Sequence, residues 1–229
     1  MVVGNGLLAR LFDDYKLDNR ILIFASGVSN SNESDLGSFY REKNLLKSFA
    51  SYQDKLVLYF SSCDVIYADT ISTPYYYHKL EMEELVKGTF DQNLILRLPQ
   101  IIGASSNKYS LLNFFINSIL EGKEFALYEY AFKNLINVHD VKKMVSYVLT
   151  NSNHEESYYN IINKNYYSIQ YIIEELEHLL SKKANYKLIP KGFKPDYKWF
   201  DEFDNLDISF PPSYFGDSIK DCYGNLITF

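Results

Sequence analysis

Tyr75 and Lys79 stand four positions apart in Tyr75-Tyr-Tyr-His-Lys79, a spacing that sets a phenol and an ammonium on one face of a helix. Free tyrosine loses its proton near pH ~10, and a neighbouring positive charge favours the phenolate. The pair is therefore expected to bring Tyr75 toward acid–base work near neutral pH. Ser61, Ser62 and Cys63 precede it and close the apolar run Lys55-Leu-Val-Leu-Tyr-Phe60. Small polar side chains at the carboxyl end of a buried strand occupy the place where open α/β sheets keep their chemistry.

A Tyr-x-x-x-Lys match is weak in a chain with 21 tyrosines. Its weight comes from the elements that must hold it. Pro74 can open a helix, which Leu80 to Val86 continues. Met1-Val-Val-Gly4-Asn5-Gly6-Leu7-Leu8-Ala9 reads as a short strand, a glycine bend and a helix start, the G-x-G-x-x-G/A form of a dinucleotide loop. Glycines let the backbone approach a pyrophosphate, and a helix amino end supplies N–H groups and positive partial charge. Further strands are expected at Ile21–Ala25, with Ser26 and Gly27 following, at Asn93–Leu98 before Pro99, and at Asn134–Val138 before a helix. Helices are expected over 39–50, 109–120 and 168–180, the last with Ser168 as N-cap.

In this order the segments resemble the extended short-chain dehydrogenase/reductase family, the NAD-dependent epimerase/dehydratases and nucleotide-sugar 4-keto reductases, over about residues 1 to 180. The resemblance implies an α/β fold with a Rossmann-like, doubly wound parallel sheet. It gives Tyr75 the role of catalytic acid–base and Lys79 that of its partner and ribose ligand. Ser61, Ser62 and Cys63 fall where the family has a catalytic hydroxyl, and Ser62-Cys-Asp-Val-Ile-Tyr67 is similar to the Ser-Thr-Asp-Tyr-Val-Phe signature of the 4-keto reductases with Cys63 at the threonine position. A thiol is a weak donor, so either Ser62 does the work or the chemistry is impaired. Gly4, Asn5, Gly6, Leu7, Leu8, Ala25, Ser26, Ser61, Tyr75, Lys79 and Pro99 are the implied contacts for NAD or NADP. Asp64 lies where the family often places an acid or base for dehydration, but a lone carboxylate near a strand end is read first as a structural hydrogen-bond acceptor, so reductase or epimerase is favoured over dehydratase. Arg97 and Asp140 match frequent family positions and are read as architectural. The implied substrate is a nucleotide-activated sugar, and the helices at 39–50 and 74–86 imply a homodimer.

The amino-terminal half departs from that pattern. Ala9 to Arg20 leaves room for one helix, so Ile21–Ala25 resembles the fourth strand of the family, and the second and third strands are missing. The fourth strand lies beside the first in a doubly wound sheet, so the sheet can still close. The acidic residue that grips the adenine ribose normally ends the second strand, and no residue takes that part here. Only 12 positions separate Cys63 from Tyr75, a shortened substrate loop.

Residues 1–150 are expected to form the truncated dinucleotide-binding core and 151–229 a small substrate-binding region packed on the same domain. The formal charge of -6 leaves no basic footprint for nucleic acid. No apolar run reaches the ~18 residues that span a bilayer, and the amino end reads as strand without a signal-peptide head. Two cysteines in 229 residues suggest a reducing, cytoplasmic setting. His78, His139, His154 and His178 lack metal-ligand spacing and are expected at the surface or at caps, so no metal is expected. The sequence reading is an NAD(P)-dependent reductase or epimerase of a nucleotide sugar, of the kind that supplies surface polysaccharide. The alternative is a catalytically reduced relative serving as binder or partner subunit.

Overall fold

The computed structural model describes residues 1–105, 107–151 and 156–224. Two compact units emerge: Met1–Leu98 with Lys142–Ile161, and Pro99–Val141 with Ile162–Phe229. The division does not follow the expected line at residue 150, because the chain leaves the first unit after residue 98 and returns to it for residues 142–161.

The first unit is built on a parallel sheet of β1 (Val2–Val3), β2 (Ile21–Phe24), β3 (Leu56–Ser62), β4 (Asn93–Leu98) and β8 (Tyr158–Asn160), in that spatial order. β1 pairs directly with β2, Val3 opposite Phe24, so the sheet closes without the second and third strands as expected. Ile-Leu-Ile-Phe, Leu-Val-Leu-Tyr-Phe and Leu-Ile-Leu are continuous apolar runs because both faces of a parallel sheet are covered. Helices α2 (Leu36–Lys47) and α4 (Pro74–Thr89), with the one-turn α3 (Ala68–Ile71) before α4 in the chain, follow β2 and β3; α2 and α4 cover one face, where Leu46, Met82 and Val86 pack with Leu22, Phe24, Val57, Tyr59 and Ile95. Asp35 caps α2 by accepting from the N–H groups of Gly37 and Ser38. Pro74 opens α4 at its first turn, as the sequence predicts.

The missing strands are replaced by a short connection. α1 (Leu7–Leu11) runs into a 3-10 turn at Asp13–Tyr15, and Phe12 is fully buried with its ring stacked on Phe60 at 5.6 Å. Helix α6 (Val138–Asn151) holds this connection: Lys142 Nζ donates to the Leu11 carbonyl at 3.1 Å and to Asp14, and lies over the Phe12 and Tyr15 rings.

The second unit holds a three-stranded sheet ordered β5 (Gln100–Ile102), β7 (Phe132–Asn137), β9 (Tyr166–Ser168), and a parallel pair of β6 (Phe125–Tyr128) with β10 (Tyr186–Ile189). Helices α5 (Leu111–Glu121), α7 (Ile169–Leu180) and α8 (Tyr214–Tyr223) bury Leu112, Phe115, Ile172, Leu176, Phe215 and Ile219 in one core. Ser168 caps α7, accepting from Tyr171 N–H, as the sequence implies. Trp199 sits edge-on to Phe203 and Phe210 and donates to Asp204, which gives the aromatic 193–212 segment a packing role. Among the described residues no helix is long and apolar enough to cross a membrane.

Candidate active site

The carboxyl ends of β1, β2 and β3 bring together most of the residues singled out in the sequence. Gly4 has φ +126°, and a Cβ there would lie 2.5 Å from the Ala25 carbonyl oxygen, so both conformation and space demand glycine. That close approach joins the first bend to Ala25 and Ser26. At Gly6 a Cβ would meet nothing within 4 Å, so this glycine leaves space that the protein itself does not fill. Asn5 is exposed and accepts from Arg10 through its carbonyl, while Leu7 and Leu8 are half-buried at the start of α1. Pro99 follows β4 and belongs to the second unit.

On β3, successive side chains point to opposite faces. Tyr59 faces the helices, and Ser61, two residues on, shares its face. Ser61 Oγ is buried and has no hydrogen-bond partner. Ser62 Oγ instead accepts from Asp64 N–H at 3.3 Å and caps the 3-10 turn Cys63–Tyr67. Cys63 departs from its expected role. It is buried, its Sγ donates to the Arg97 carbonyl at 3.3 Å, and burial followed by the nearby Asp64 pushes the thiol far above its usual range. A thiol held neutral and turned to a backbone carbonyl has little nucleophilic or acidic character. Asp64 accepts from the Tyr76 hydroxyl at 3.1 Å, in line with an architectural role.

Tyr75 and Lys79 share the face of α4 that carries Met82 and Val86 onto the sheet, and both are buried. Lys79 Nζ lies 5.8 Å from the Tyr75 ring centroid. The electrostatic expectation is nonetheless reversed: Lys79 Nζ donates to Glu42 Oε1 at 3.1 Å and to the Tyr59 hydroxyl at 3.0 Å. Burial first, then Glu42 and Asp64, raise the Tyr75 phenol well above its ordinary value.

Glu42 is the residue that motif reading misses. It is fully buried on α2, where Oε1 accepts from Tyr59 at 2.7 Å and Oε2 accepts from Val28 N–H at 2.6 Å and lies 3.0 Å from His78 Nε2. Desolvation opposes its charge, but Lys79, then His78, Val28 and Tyr59, outweigh it and hold the carboxyl at about 2. One signal was available in the sequence: Phe39, Glu42 and Leu46 form the buried stripe of α2, and a charge on an apolar stripe needs a buried partner. His78 also departs from its expected surface position. It is 2 % exposed, stacks on Phe39 at 4.3 Å, and its Nδ1 is buried without a partner. His139 and His178 are exposed as expected, and His154 lies outside the described residues.

The three acidic residues near the first bend are already paired with cations, Asp13 with Lys16, Asp14 with Lys142 and Asp18 with Arg20. Arg97 and Asp140 are architectural: Arg97 makes a two-pronged bond to Glu83, and Asp140 accepts from the Tyr214 hydroxyl at 2.7 Å.

Comparison with solved structures returns the same architecture. UDP-glucuronic acid 4-epimerase from Bacillus cereus, solved with UDP-glucuronic acid and NAD, matches with a TM-score of 0.69 at 17% identity, over 96% of this chain and 78% of that one. UDP-glucose 4-epimerase from Thermus thermophilus, solved with NAD, matches at 0.71 and 13% identity, over 95% and 80%. dTDP-4-dehydrorhamnose reductase from Bacillus anthracis, in complex with NADP, matches at 0.66 and 13% identity, over 95% and 85%. At such identities the likeness establishes the fold. No curated protein sequence matches this chain. The family model for the NAD dependent epimerase/dehydratase family matches residues 4–161, from the glycine bend to the end of the first unit. With more than half of its length matched, and with the parallel sheet that the match requires, the chain belongs to the NAD-dependent epimerase/dehydratase family.

Proposed function

We propose that this protein is an NAD(P)-dependent reductase or epimerase acting on a nucleotide-activated sugar, with Tyr75 as the proton carrier. The observation that carries the reading is the Lys79 ammonium 5.8 Å from the Tyr75 ring on α4, together with the partnerless Ser61 hydroxyl on the face of β3 that Tyr59 turns to the helices. An orphaned buried hydroxyl costs free energy unless something binds it. A substrate oxygen accepting from Ser61 and exchanging a proton with Tyr75 would satisfy both groups.

The open space beside Gly6 supports a dinucleotide phosphate there. Gly4, Asn5, Gly6, Leu7 and Leu8 would hold the pyrophosphate, Ala25 and Ser26 the adjoining ribose, and Ser61, Tyr75, Lys79 and Pro99 the nicotinamide side. When bound, the nicotinamide supplies the hydride acceptor or donor for the sugar carbon. The neighbours solved with NAD, NADP and UDP-sugars support this assignment. Ser61 is favoured over Ser62 and Cys63 as the hydroxyl that touches substrate, because those two are engaged in the turn and with the Arg97 carbonyl. The 151–229 region is assigned to the sugar nucleotide. A cytoplasmic homodimer built through α2 and α4, where Tyr40 and Tyr77 are exposed, completes the proposal, as does a place in surface polysaccharide synthesis.

The second reading, a catalytically reduced binder or partner subunit, is favoured by the buried Cys63 and by the missing second strand, whose acidic residue normally grips the adenine ribose, while Asp13, Asp14 and Asp18 are paired with cations. Calorimetric titration with NAD, NADH, NADP and NADPH separates the two. Micromolar binding of one of them, with turnover lost on the order of 100-fold or more in Tyr75→Phe, supports the oxidoreductase. Silence with all four supports the binder.

A further inference from the structure

Helix α4 brings Lys79 to Tyr75, and helix α2 brings a second charge to the same place. Glu42 spends both carboxylate oxygens twice, Oε1 on Tyr59 and Lys79, Oε2 on Val28 N–H and His78. Lys79 also donates to the Tyr59 hydroxyl, which closes a triangle of Lys79, Tyr59 and Glu42. Gly27 makes room for it: a Cβ there would lie 2.8 Å from Lys79 Nζ and 2.9 Å from Glu42 Oε1. The ammonium is thus held by two hydrogen bonds with its charge offset at contact distance. A buried lysine needs such a partner, but this partner's negative charge also reaches Tyr75.

We propose that Glu42 is a positioning residue, which pins Lys79 and cancels its charge at Tyr75, so that Tyr75 waits as the neutral phenol and the site gives a proton before it takes one. The proposal rests on the reading of Tyr75 as proton carrier and deepens it, since a donor at rest suits reduction of a keto-sugar better than oxidation of an alcohol. The groups around Tyr75 agree. α2 contributes Glu42, β3 contributes Tyr59, the 3-10 turn contributes Asp64, and α4 itself contributes Tyr76 and Lys79, with His78 turned to the other oxygen of Glu42. Lys79, the one fixed positive charge of this set, is matched by Glu42, and Asp64 adds negative charge. The sum favours an O–H over an O⁻.

The test titrates Tyr75 directly and needs neither cofactor nor substrate. Protein carrying 13C at tyrosine Cζ is followed by NMR against pH, with the Tyr75 signal identified as the one lost in Tyr75→Phe. In the unaltered chain the Tyr75 midpoint is expected above the ordinary ~10, and a midpoint at or below that value overturns the proposal. In Glu42→Gln the midpoint is expected to fall by about 1–3 pH units; a folded Glu42→Gln with an unmoved midpoint also overturns it. Should that variant fail to fold, the double replacement Glu42→Met with Lys79→Met, which removes both charges together, is titrated instead, and a Tyr75 midpoint displaced by more than about 1 pH unit from that of the unaltered chain overturns the proposal. Silence in the four-cofactor calorimetry sinks the oxidoreductase reading without touching this titration, so the two failures are distinguishable. Where turnover is measurable, its alkaline limb is expected to move down with the NMR midpoint in Glu42→Gln.

Discussion

Lys79 and Glu83 lie one turn apart on α4, carry opposite charges, and are each buried against a partner from another element, yet the two pairs are built differently. Arg97 meets Glu83 through Nε and Nη2 at 2.9 and 2.6 Å, and its guanidinium lies 3.9 Å from the centre of the Tyr158 ring. That pair is a two-pronged clasp between helix and β4. The Lys79–Glu42 pair is a junction, with Tyr59, His78 and Val28 N–H converging on one carboxylate. Nearby, Ser61 Oγ and His78 Nδ1 are left without partners. The clasp is a closed pair, whereas unpaired buried polar atoms accompany the junction and call for an explanation.

The contrast can be broken most forcefully at the clasp. Arg97→Ala strands the Glu83 carboxylate in the core and is expected to cost about 3–5 kcal/mol of stability, read as a lower urea midpoint at unchanged slope. A loss below 1 kcal/mol would mean that the clasp is not structural. Acid titration probes the junction next. The Glu42 carboxyl, held at about 2 against 4.5 unfolded, contributes stability that is full above the unfolded value and is lost as pH falls toward 2. The linked energy is roughly 3 kcal/mol, and Glu42→Gln should flatten that acid limb between about pH 5 and 2. An unchanged limb would assign the acid sensitivity elsewhere.

Gly27→Ala sharpens the difference by pressing a methyl group on Lys79 and Glu42 while leaving the clasp alone. A cost of about 1–3 kcal/mol is expected, together with weaker binding of any nucleotide that contacts Lys79; an unchanged melting temperature would mean that the junction yields freely. The smallest effect is expected at Cys63, on the clasp side. Cys63→Ser keeps a donor for the Arg97 carbonyl, so stability should shift by about 1 kcal/mol or less, with turnover almost unchanged. The native thiol, buried and neutral, should resist thiol reagents until the chain unfolds. A large loss of turnover in that variant would return Cys63 to the reacting atoms.

The sheet was legible because its strands are uninterrupted apolar runs and its bends are marked by glycines at 4 and 6. The deletion was legible because the interval from Ala9 to Arg20 is too short for two further strands. Tyr75 and Lys79 were legible as a spacing, and the helix that carries them begins at Pro74 as read. What the spacing could not convey was the sign of the field at the phenol. Burial raises the Tyr75 phenol first, and Glu42, 33 residues before Tyr75 and on another helix, adds negative charge that tertiary contact alone brings there. The choice among Ser61, Ser62 and Cys63 was open for a related reason. Three adjacent small polar residues look alike in one dimension, and the pleat of β3 together with the turn after it decides which one faces the helices.

The bare α-carbon at Gly27 has an evolutionary corollary. The volume that a side chain would take there is occupied by the tips of Lys79 and Glu42, so positions 27, 42 and 79 are bound in epistasis. A larger residue at 27 displaces one or both tips, so it is expected to be accepted most readily where one of the two charged side chains has shortened or changed. Descendants that keep the lysine and the glutamate should keep the glycine with them, and substitution at these three places should appear in concert.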